Sequence, residues 1–216
     1  MPLALFDLDN TLIDRQAAYR RWAEGFVAHN KLTGDALDWL CVADADGFAD
    51  RDDVFVEARQ RFGLTESVAE LVATYRQEYP TFYRPDDEIN TALVRLRRAG
   101  WRIGVVTNGP PSQHEKVERA GLGPLIDACC VSEELGLAKP DLGIFTEAIR
   151  AAGGLPPPGE PAWMVGDAPG PDIGGGRAAG LQTAWIHRNR PWERTDYRPD
   201  AIVATVPEAV ALLLYD

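Results

Sequence analysis

Apolar positions in this chain follow two alternating rhythms. Residues Leu3–Phe6 form an uninterrupted apolar run that ends in Asp7, the pattern of a strand buried on both faces of a parallel sheet, whose carboxyl end delivers polar residues to a crevice. From residue 16 to 30, Tyr19, Trp22, Ala23, Phe26 and Val27 follow the i, i+3, i+4, i+7, i+8 stripe of an amphipathic helix. A second helix is predicted to start at a capping box from Ser67 to Glu70 and to carry Val68, Leu71, Val72, Tyr75 and Tyr79 on one face. The stretch 35–62 between them is also helical in pattern, broken at Asp44-Ala45-Asp46-Gly47, and no strand pattern occurs from 15 to 85.

Past Pro85 strands and helices alternate again. Ile89, Leu93 and Leu96 predict a helix closed by Gly100, followed by a strand at 103–106. Further strands are predicted at 127–131, 162–165, 182–186 and 201–204. Helices at 112–120, 141–152, 172–179 and 207–215 separate them, the last with a Thr205 to Glu208 capping box. The proline-rich stretch Pro156-Pro157-Pro158-Gly159 reads as a loop between a helix and its next strand. This alternation implies an α/β fold, a doubly wound parallel sheet covered on both faces. Residues 1–14 and 86–216 would form that core, and 15–85 an all-helical insert.

At 216 residues and 45% hydrophobic composition, the chain is long enough for one such core with an insert and too short for two full-sized domains. Acidic residues number 33 against 22 basic ones, a formal charge of −11, which repels duplex phosphate and anionic membrane surfaces. Neither nucleic acid nor membrane is therefore expected as a partner, whereas a small anion is admissible where a metal ion or a lysine reverses the field inside a cleft. No apolar run approaches the roughly 18 residues of a membrane-spanning helix. The first residues lack the basic stretch and apolar core of a secretory leader, so a cytoplasmic location is expected. Cys41, Cys129 and Cys130 form neither an even framework nor a Cys-x-x-Cys pair, which predicts reduced thiols.

Ligands of open α/β sheets bind outside the carboxyl ends of the strands, and four predicted strand ends carry polar clusters. The first is Asp7-Leu8-Asp9-Asn10-Thr11; a calcium loop would need glycine where Leu12 stands and glutamate where Ala18 stands, and an acidic turn without function stays open. The second is Val106-Thr107-Asn108-Gly109, where a helix start suits a phosphate as well as an ordinary capped turn. The third is Lys139-Pro140-Asp141, which holds one of only three lysines beside Lys31 and Lys116; alone, such a lysine reads as a surface charge. The fourth is Gly166-Asp167 with Asp172 five positions on, and Asp172 alone reads as the N-cap of the next helix.

In this order, Asp-x-Asp-x-Thr, Thr-Asn-Gly, Lys-Pro and Gly-Asp-x-x-x-x-Asp resemble the four motifs of the haloacid dehalogenase superfamily. The resemblance spans nearly the whole chain: the helical insert is similar to the family's mobile cap, and residues 174–180 to its Gly/Ala-rich segment. It implies a Rossmannoid core and a Mg²⁺-dependent phosphatase acting on a small phosphorylated metabolite through an aspartyl phosphate. By the same resemblance Asp7 is the nucleophile and Asp9 the general acid and base. Mg²⁺ would be held by the carboxylates of Asp7 and Asp167 and the backbone carbonyl of Asp9. Thr107 and the Asn108 backbone would hold the phosphoryl group, Lys139 would offset charge on Asp7 and the phosphate, and Asp172 would orient Lys139 or metal-bound waters.

This assignment is chemically coherent, since a phosphate monoester needs its charge neutralised and a nucleophile in line with the leaving oxygen. Asp9 favours a phosphatase over a dehalogenase, because the dehalogenases attack carbon, need no Mg²⁺ and lack an acid at that position. A dehalogenase or phosphomutase of the same fold is the alternative within the family. A phosphonate-cleaving member would want a cap lysine, and Lys31 is the only one there, in a polar stretch. Outside the family stand a receiver-type phospho-acceptor module, which needs neither the Asp7–Asp9 spacing nor the insert, and a silent binding protein, whose usual sign is a lost motif residue. Phe48, Arg51 and Phe55, near the break between insert helices, are candidates for reading the leaving group. His29, His114 and His187 have no metal-ligand spacing, and Arg188, Asn189 and Arg190 follow a strand end from which they could reach the site mouth, but read more simply as solvated loop residues. The glycine-rich stretch 170–180 matches neither a dinucleotide nor a Walker fingerprint.

Overall fold

A computed structural model describes residues 1–47 and 49–215, so Phe48 lies outside the described residues. The chain divides into two compact units, Asp14–Arg84 and a second formed by Met1–Ile13 with Pro85–Asp216. Each break falls one residue before its expected position.

The Asp14–Arg84 unit contains helices α1 (Arg15–His29), α2 (Ala36–Ala43), α3 (Arg51–Phe62) and α4 (Val68–Glu78), with no strand among its described residues. The starts of α1, α3 and α4 are set by side chains that accept from otherwise unpaired backbone amides. Asp14 accepts from Ala17 N at 2.9 Å, Asp50 from Asp52 and Asp53, and Ser67 and Glu70 form the full reciprocal capping box. Tyr19, Trp22 and Ala23 of the predicted stripe are buried, while Phe26 and Val27 are half-buried. The Trp22 ring lies edge-on to Tyr75 at 4.8 Å and to Phe55 at 6.0 Å, and Tyr75 stacks on Tyr79 at 4.9 Å. The break after α2 is built on a buried carboxylate. Asp44 is buried, and its carboxylate accepts from both arms of the Arg15 guanidinium at 2.6 and 2.9 Å and pairs with Arg51 at 2.8 Å.

The second unit is built on six parallel strands, β1 (Leu3–Phe6), β2 (Arg102–Thr107), β3 (Ala128–Val131), β4 (Ala162–Gly166), β5 (Gln182–Ile186) and β6 (Ala201–Val203), in the order 3-2-1-4-5-6. Between them run α5 (Asp87–Arg98), α6 (Gln113–Arg119), α7 (Ser132–Leu135), α8 (Leu142–Ala151) and α9 (Gly175–Ala178), and α10 (Val206–Tyr215) follows the last strand. The fold is the expected doubly wound α/β sheet. Side chains alternate across each strand: Leu3 and Leu5 join Val106, Met164 and the α8 residues Ile144, Phe145, Ala148 and Ile149 in one continuous core, and α5 packs with α10. All three cysteines are free, and no described helix is long and apolar enough to cross a membrane.

Two predicted elements differ. Instead of one helix over 172–179, the chain makes a wide π-type turn at Pro169–Gly174 and only then the single turn α9. Asp172 is inside that turn, donating from its backbone N to Ala168 O at 3.0 Å, so it is not the N-cap of a helix. At the last helix, Thr205 Oγ1 accepts from Glu208 N, but the Glu208 carboxylate accepts from Ala204 N at 2.8 Å, one residue before the position the capping box requires. The glycine run after the wide turn reflects close approach. A Cβ on Gly176 would stand 2.8 Å from Met164 Cβ, and one on Gly175 2.5 Å from the Phe145 ring. Gly176→Ala is expected to destabilise the sheet unit by about 1–3 kcal/mol through overpacking against the backbone-fixed Met164 Cβ, read as a lowered thermal midpoint; an unchanged midpoint would show that α9 has room to shift.

Candidate active site

β1 lies between β2 and β4, with Phe6 in register with Val105 on one side and Val165 on the other. Asp7, Thr107 and Asp167 therefore leave the sheet at neighbouring levels. The strand order also reverses beside β1, the place where open α/β sheets leave a crevice at their carboxyl ends. Asp7 is tied to this edge by its backbone N, which donates to Val165 O at 2.9 Å.

Lys139 crosses the crevice. Its buried ammonium donates to Asp7 Oδ1 at 2.5 Å and to Asp172 Oδ1 at 2.7 Å. The second oxygen of the fully buried Asp172 accepts from Ala168 N at 2.9 Å, the contact that bends the wide turn. Asp167 is also buried; its backbone oxygen accepts from Trp185 Nε1 at 2.8 Å and from Arg190 Nη2 at 2.6 Å, and its Oδ2 accepts from the same Arg190 nitrogen at 2.8 Å. One ligand atom from each of Asp7, Asp167 and Asp172 lies within 4.8 Å of the others.

This crowding of carboxylates sets their acidity. Burial, helped by Asp172 and Asp9, pushes Asp7 up to about 7 against the pull of Lys139. Burial and the Asp7 charge push Asp167 up to about 6 against Arg190 and Arg188, and burial raises Asp172 against Lys139. Burial alone would lower Lys139, but Asp172 and Asp7 hold its ammonium above the ordinary value. Too little positive charge faces these acids, so the site draws in either protons or another cation. The donors are hard carboxylate oxygens, which fit a divalent ion of the Mg²⁺ or Ca²⁺ type. Lys139 and Ala168 engage both oxygens of Asp172, whereas Lys139 takes one oxygen of Asp7 and Arg190 one of Asp167.

Asp9 has a different setting. The loop after β1 is held by Leu8 O, which accepts from the backbone N of Thr11, Leu12 and Ile13, and by Asn10 N donating to Ile13 O at 2.8 Å. From it the partly exposed Asp9 carboxylate accepts from Lys116 Nζ at 2.8 and 2.7 Å and from Gln113 Nε2 at 2.8 Å. Gln113 Nε2 also donates to Thr107 Oγ1 at 2.5 Å. Asn108 spans to the third strand end, accepting from Lys139 N at 2.8 Å and donating to Lys139 O at 3.0 Å.

The sheet unit thus brings together Asp7, Asp9, Thr107, Asn108, Lys139, Asp167 and Asp172, along with Gln113, Lys116 and Arg190, which sequence reasoning had not placed. Arg190, expected to be a solvated loop residue, is bonded to Asp167. Gln113 and Lys116 had one usable signal, their i, i+3 spacing on the helix that follows Thr107. In the helical unit, Arg51 is held by Asp44 and lies 5.5 Å over the Tyr19 ring and 5.2 Å over Tyr75, and Phe55 is buried in the aromatic cluster.

Residues 1–180 match the family model of haloacid dehalogenase-like hydrolases. The phosphoserine phosphatase of Thermus thermophilus is 34% identical over 206 residues, 90% of this chain and 78% of that protein. A glyceraldehyde 3-phosphate phosphatase of Pyrococcus furiosus is 27% identical over 221 residues, 96% of this chain and 91% of that protein. Among solved structures, the HAD-hydrolase YfnB of Bacillus subtilis, bound to magnesium and showing interdomain movement, superposes with a TM-score of 0.73 at 25% identity over 98% of each chain.

The raised carboxylates fix the sign of a pH effect. Without metal, the folded state holds protons on Asp7 and Asp167 that the unfolded chain releases near 3.8, so their contribution to stability is full below 3.8 and is lost as pH rises through about 6 and about 7. A divalent cation replaces those protons, so its stabilising effect is expected to grow across the same window. Thermal unfolding with and without added divalent cation, run as a pH series, checks this; a metal-induced shift constant across the window would refute it.

Proposed function

The chain belongs to the haloacid dehalogenase-like hydrolase family, and on that premise we propose that it is a Mg²⁺-dependent phosphatase that hydrolyses a small phosphate monoester through an aspartyl phosphate on Asp7. The observation that carries this reading is the Lys139 ammonium shared by Asp7 and Asp172 beside Asp167. A buried nucleophilic carboxylate needs positive charge on its own side before it can approach a phosphate dianion. Mg²⁺, held by the Asp7 and Asp167 carboxylates and the Asp9 carbonyl, would supply Lewis-acid stabilisation of charge on the phosphoryl oxygens.

The remaining chemistry falls to side chains. The Thr107 hydroxyl and the Asn108 backbone N–H hold the phosphoryl oxygens. An Asp7 oxygen attacks phosphorus as the bond to the leaving oxygen breaks, and Asp9 gives that oxygen its proton. Asp9, now ionised, takes a proton from water as the water attacks the aspartyl phosphate, which releases inorganic phosphate and restores Asp7. Lys139 balances Asp7 throughout, and Asp172 keeps Lys139 aimed. The carboxylate of Asp9 supports phosphoryl transfer over attack on carbon, where no leaving alkoxide needs a proton.

The Asp14–Arg84 unit is proposed as the cap that excludes water and discriminates leaving groups, with Arg51 as its candidate recognition residue. The interdomain movement of YfnB supports a mobile role for such a unit. The two phosphatase relatives act on phosphoserine and glyceraldehyde 3-phosphate, both small phosphorylated compounds with different leaving groups. That difference supports the substrate class and leaves its member to the cap.

A panel of phosphate monoesters assayed with Mg²⁺ and with excess chelator tests this reading; full activity in chelator would remove the metal, and no release from any ester the phosphatase. Asp7→Asn is expected to lower turnover on the order of 10⁴-fold or more while the protein stays folded, since an amide keeps the shape but not the nucleophile. Asp9→Asn is expected to cost an alkyl phosphate about 10²- to 10⁴-fold in kcat/KM and para-nitrophenyl phosphate much less, because a nitrophenolate leaves without a proton. Equal losses on the two substrates would assign the acid to another group.

A further inference from the structure

We infer that α6 carries two positioning residues, Lys116 and Gln113, which hold the Asp9 carboxylate in its working place and turn the Thr107 hydroxyl toward the phosphoryl group; the inference rests on the phosphatase reading. They stand three positions apart on one face of the helix. Lys116 Nζ lies 2.8 and 2.7 Å from the two Asp9 oxygens, and Gln113 Nε2 lies 2.8 Å from Oδ2, so both oxygens are fixed by groups from a single rigid element.

Gln113 is 1% exposed and its amide can stand only one way round. The reverse orientation would set its oxygen against the Asp9 carboxylate, whereas Nε2 has two hydrogens, one for Asp9 Oδ2 and one for Thr107 Oγ1 at 2.5 Å. Thr107 accepts that bond, which leaves its own hydrogen to donate elsewhere, and a phosphoryl oxygen at the strand end is an acceptor in need of it. One amide thereby couples the proton-transfer carboxylate to the phosphate-binding hydroxyl.

The backbone is shaped to admit this side chain. Gly109 has φ of 150°, and a Cβ there would stand 3.0 Å from Gln113 Cδ and 3.1 Å from Cγ. The glycine that ends Thr107-Asn108-Gly109 therefore keeps space for Gln113. A role in folding alone is a poor account of the Lys116 pair. Its side chains are 12% and 23% exposed, so the pair has structural weight as well, yet it is attached to the carboxylate two residues from the nucleophile.

The test is Lys116→Met, alone and combined with Asp9→Asn, with Lys116→Arg as the conservative control. Misplacing a catalytic group by a fraction of its working distance costs on the order of 10- to 10²-fold. Lys116→Met is expected to stay folded, to lose about that much kcat/KM on an alkyl phosphate and to lose much less on para-nitrophenyl phosphate, while Lys116→Arg recovers part of the loss. In the Asp9→Asn background the same substitution should cost almost nothing, because residues acting as a unit are non-additive. Equal losses on both substrates, or an undiminished loss in the Asp9→Asn background, would overturn the inference.

A protein that hydrolyses no monoester would defeat the phosphatase reading instead. The clamp is then read without turnover: Lys116 is one of three lysines in the chain, so its ammonium can be assigned by nitrogen-15 NMR. The resonance should move in Asp9→Asn and in Gln113→Ala; an unmoved resonance would overturn the positioning role on its own.

Discussion

A single buried lysine holds the chemistry of this molecule together. Lys139 Nζ is bonded to Asp7 and Asp172, carboxylates that belong to segments following β1 and β4, while Lys139 itself follows β3 and α7. Asp7 and Asp172 share one buried ammonium, and the neighbouring Asp167 is offset only by the partly exposed Arg190 and Arg188, so the cluster is short of positive charge, and an uncompensated charge in a low-dielectric interior costs several kcal/mol. That shortage bends the backbone. Asp172 turns inward to reach Lys139, its other oxygen takes the Ala168 amide, and the chain makes a wide turn where helical pattern alone predicts a regular helix. Wide turns of this kind interrupt helices at functional positions, and here the cause is electrostatic.

The Asp14–Arg84 unit contains the opposite imbalance. Among the described residues Asp44 is the one carboxylate paired with Arg15 and Arg51, and the surplus positive charge is spread over the faces of Tyr19, Tyr75 and Tyr79. Aromatic faces accept a guanidinium without a counter-ion because their quadrupole is negative above the ring. The geometry is tight enough to dictate sequence: a Cβ on Gly47 would enter the Arg15 guanidinium. Gly47 is required by a buried ion pair, although in sequence the Asp44-Ala45-Asp46-Gly47 tetrapeptide marks only a break in the helical pattern.

Strands were legible because a strand buried on both faces must be apolar throughout, and Leu3–Phe6 and Ala162–Gly166 have no other way to be stable in the middle of the sheet. The insert helices were legible from their stripes and from caps such as Ser67 with Glu70. Asp7 and Asp167 could be singled out because each directly follows an apolar run, and Lys139 and Asp172 because they complete an order of motifs that resembles a known family's. What local pattern could not supply was direction. Arg190 looks like any loop arginine until β5 is laid beside β4 and brings it to Asp167. Gln113 belongs to none of the motifs, yet it is buried because Asp9, 104 positions earlier, and Thr107 together satisfy its amide. Such contacts depend on strand order, which no window of neighbouring residues encodes.

Two carboxylates two positions apart can serve different steps only if their surroundings differ, since identical neighbours would titrate and react alike. Asp7 is buried, anchored by its backbone to β4 and bonded through one oxygen to a lysine that is itself fixed by Asp172. A nucleophile benefits from such rigidity, because in-line attack demands a fixed angle and distance. Asp9 is partly exposed on a tight loop, and its partners come from the side chains of a separate helix. A group that must donate a proton and then accept one needs access to the leaving oxygen and to water, which a fully enclosed carboxylate lacks. The alternation of a strand end supplies the separation. Leu8, fully buried, turns the chain between the two acids, so one stays with the sheet and the other stands at the solvent edge.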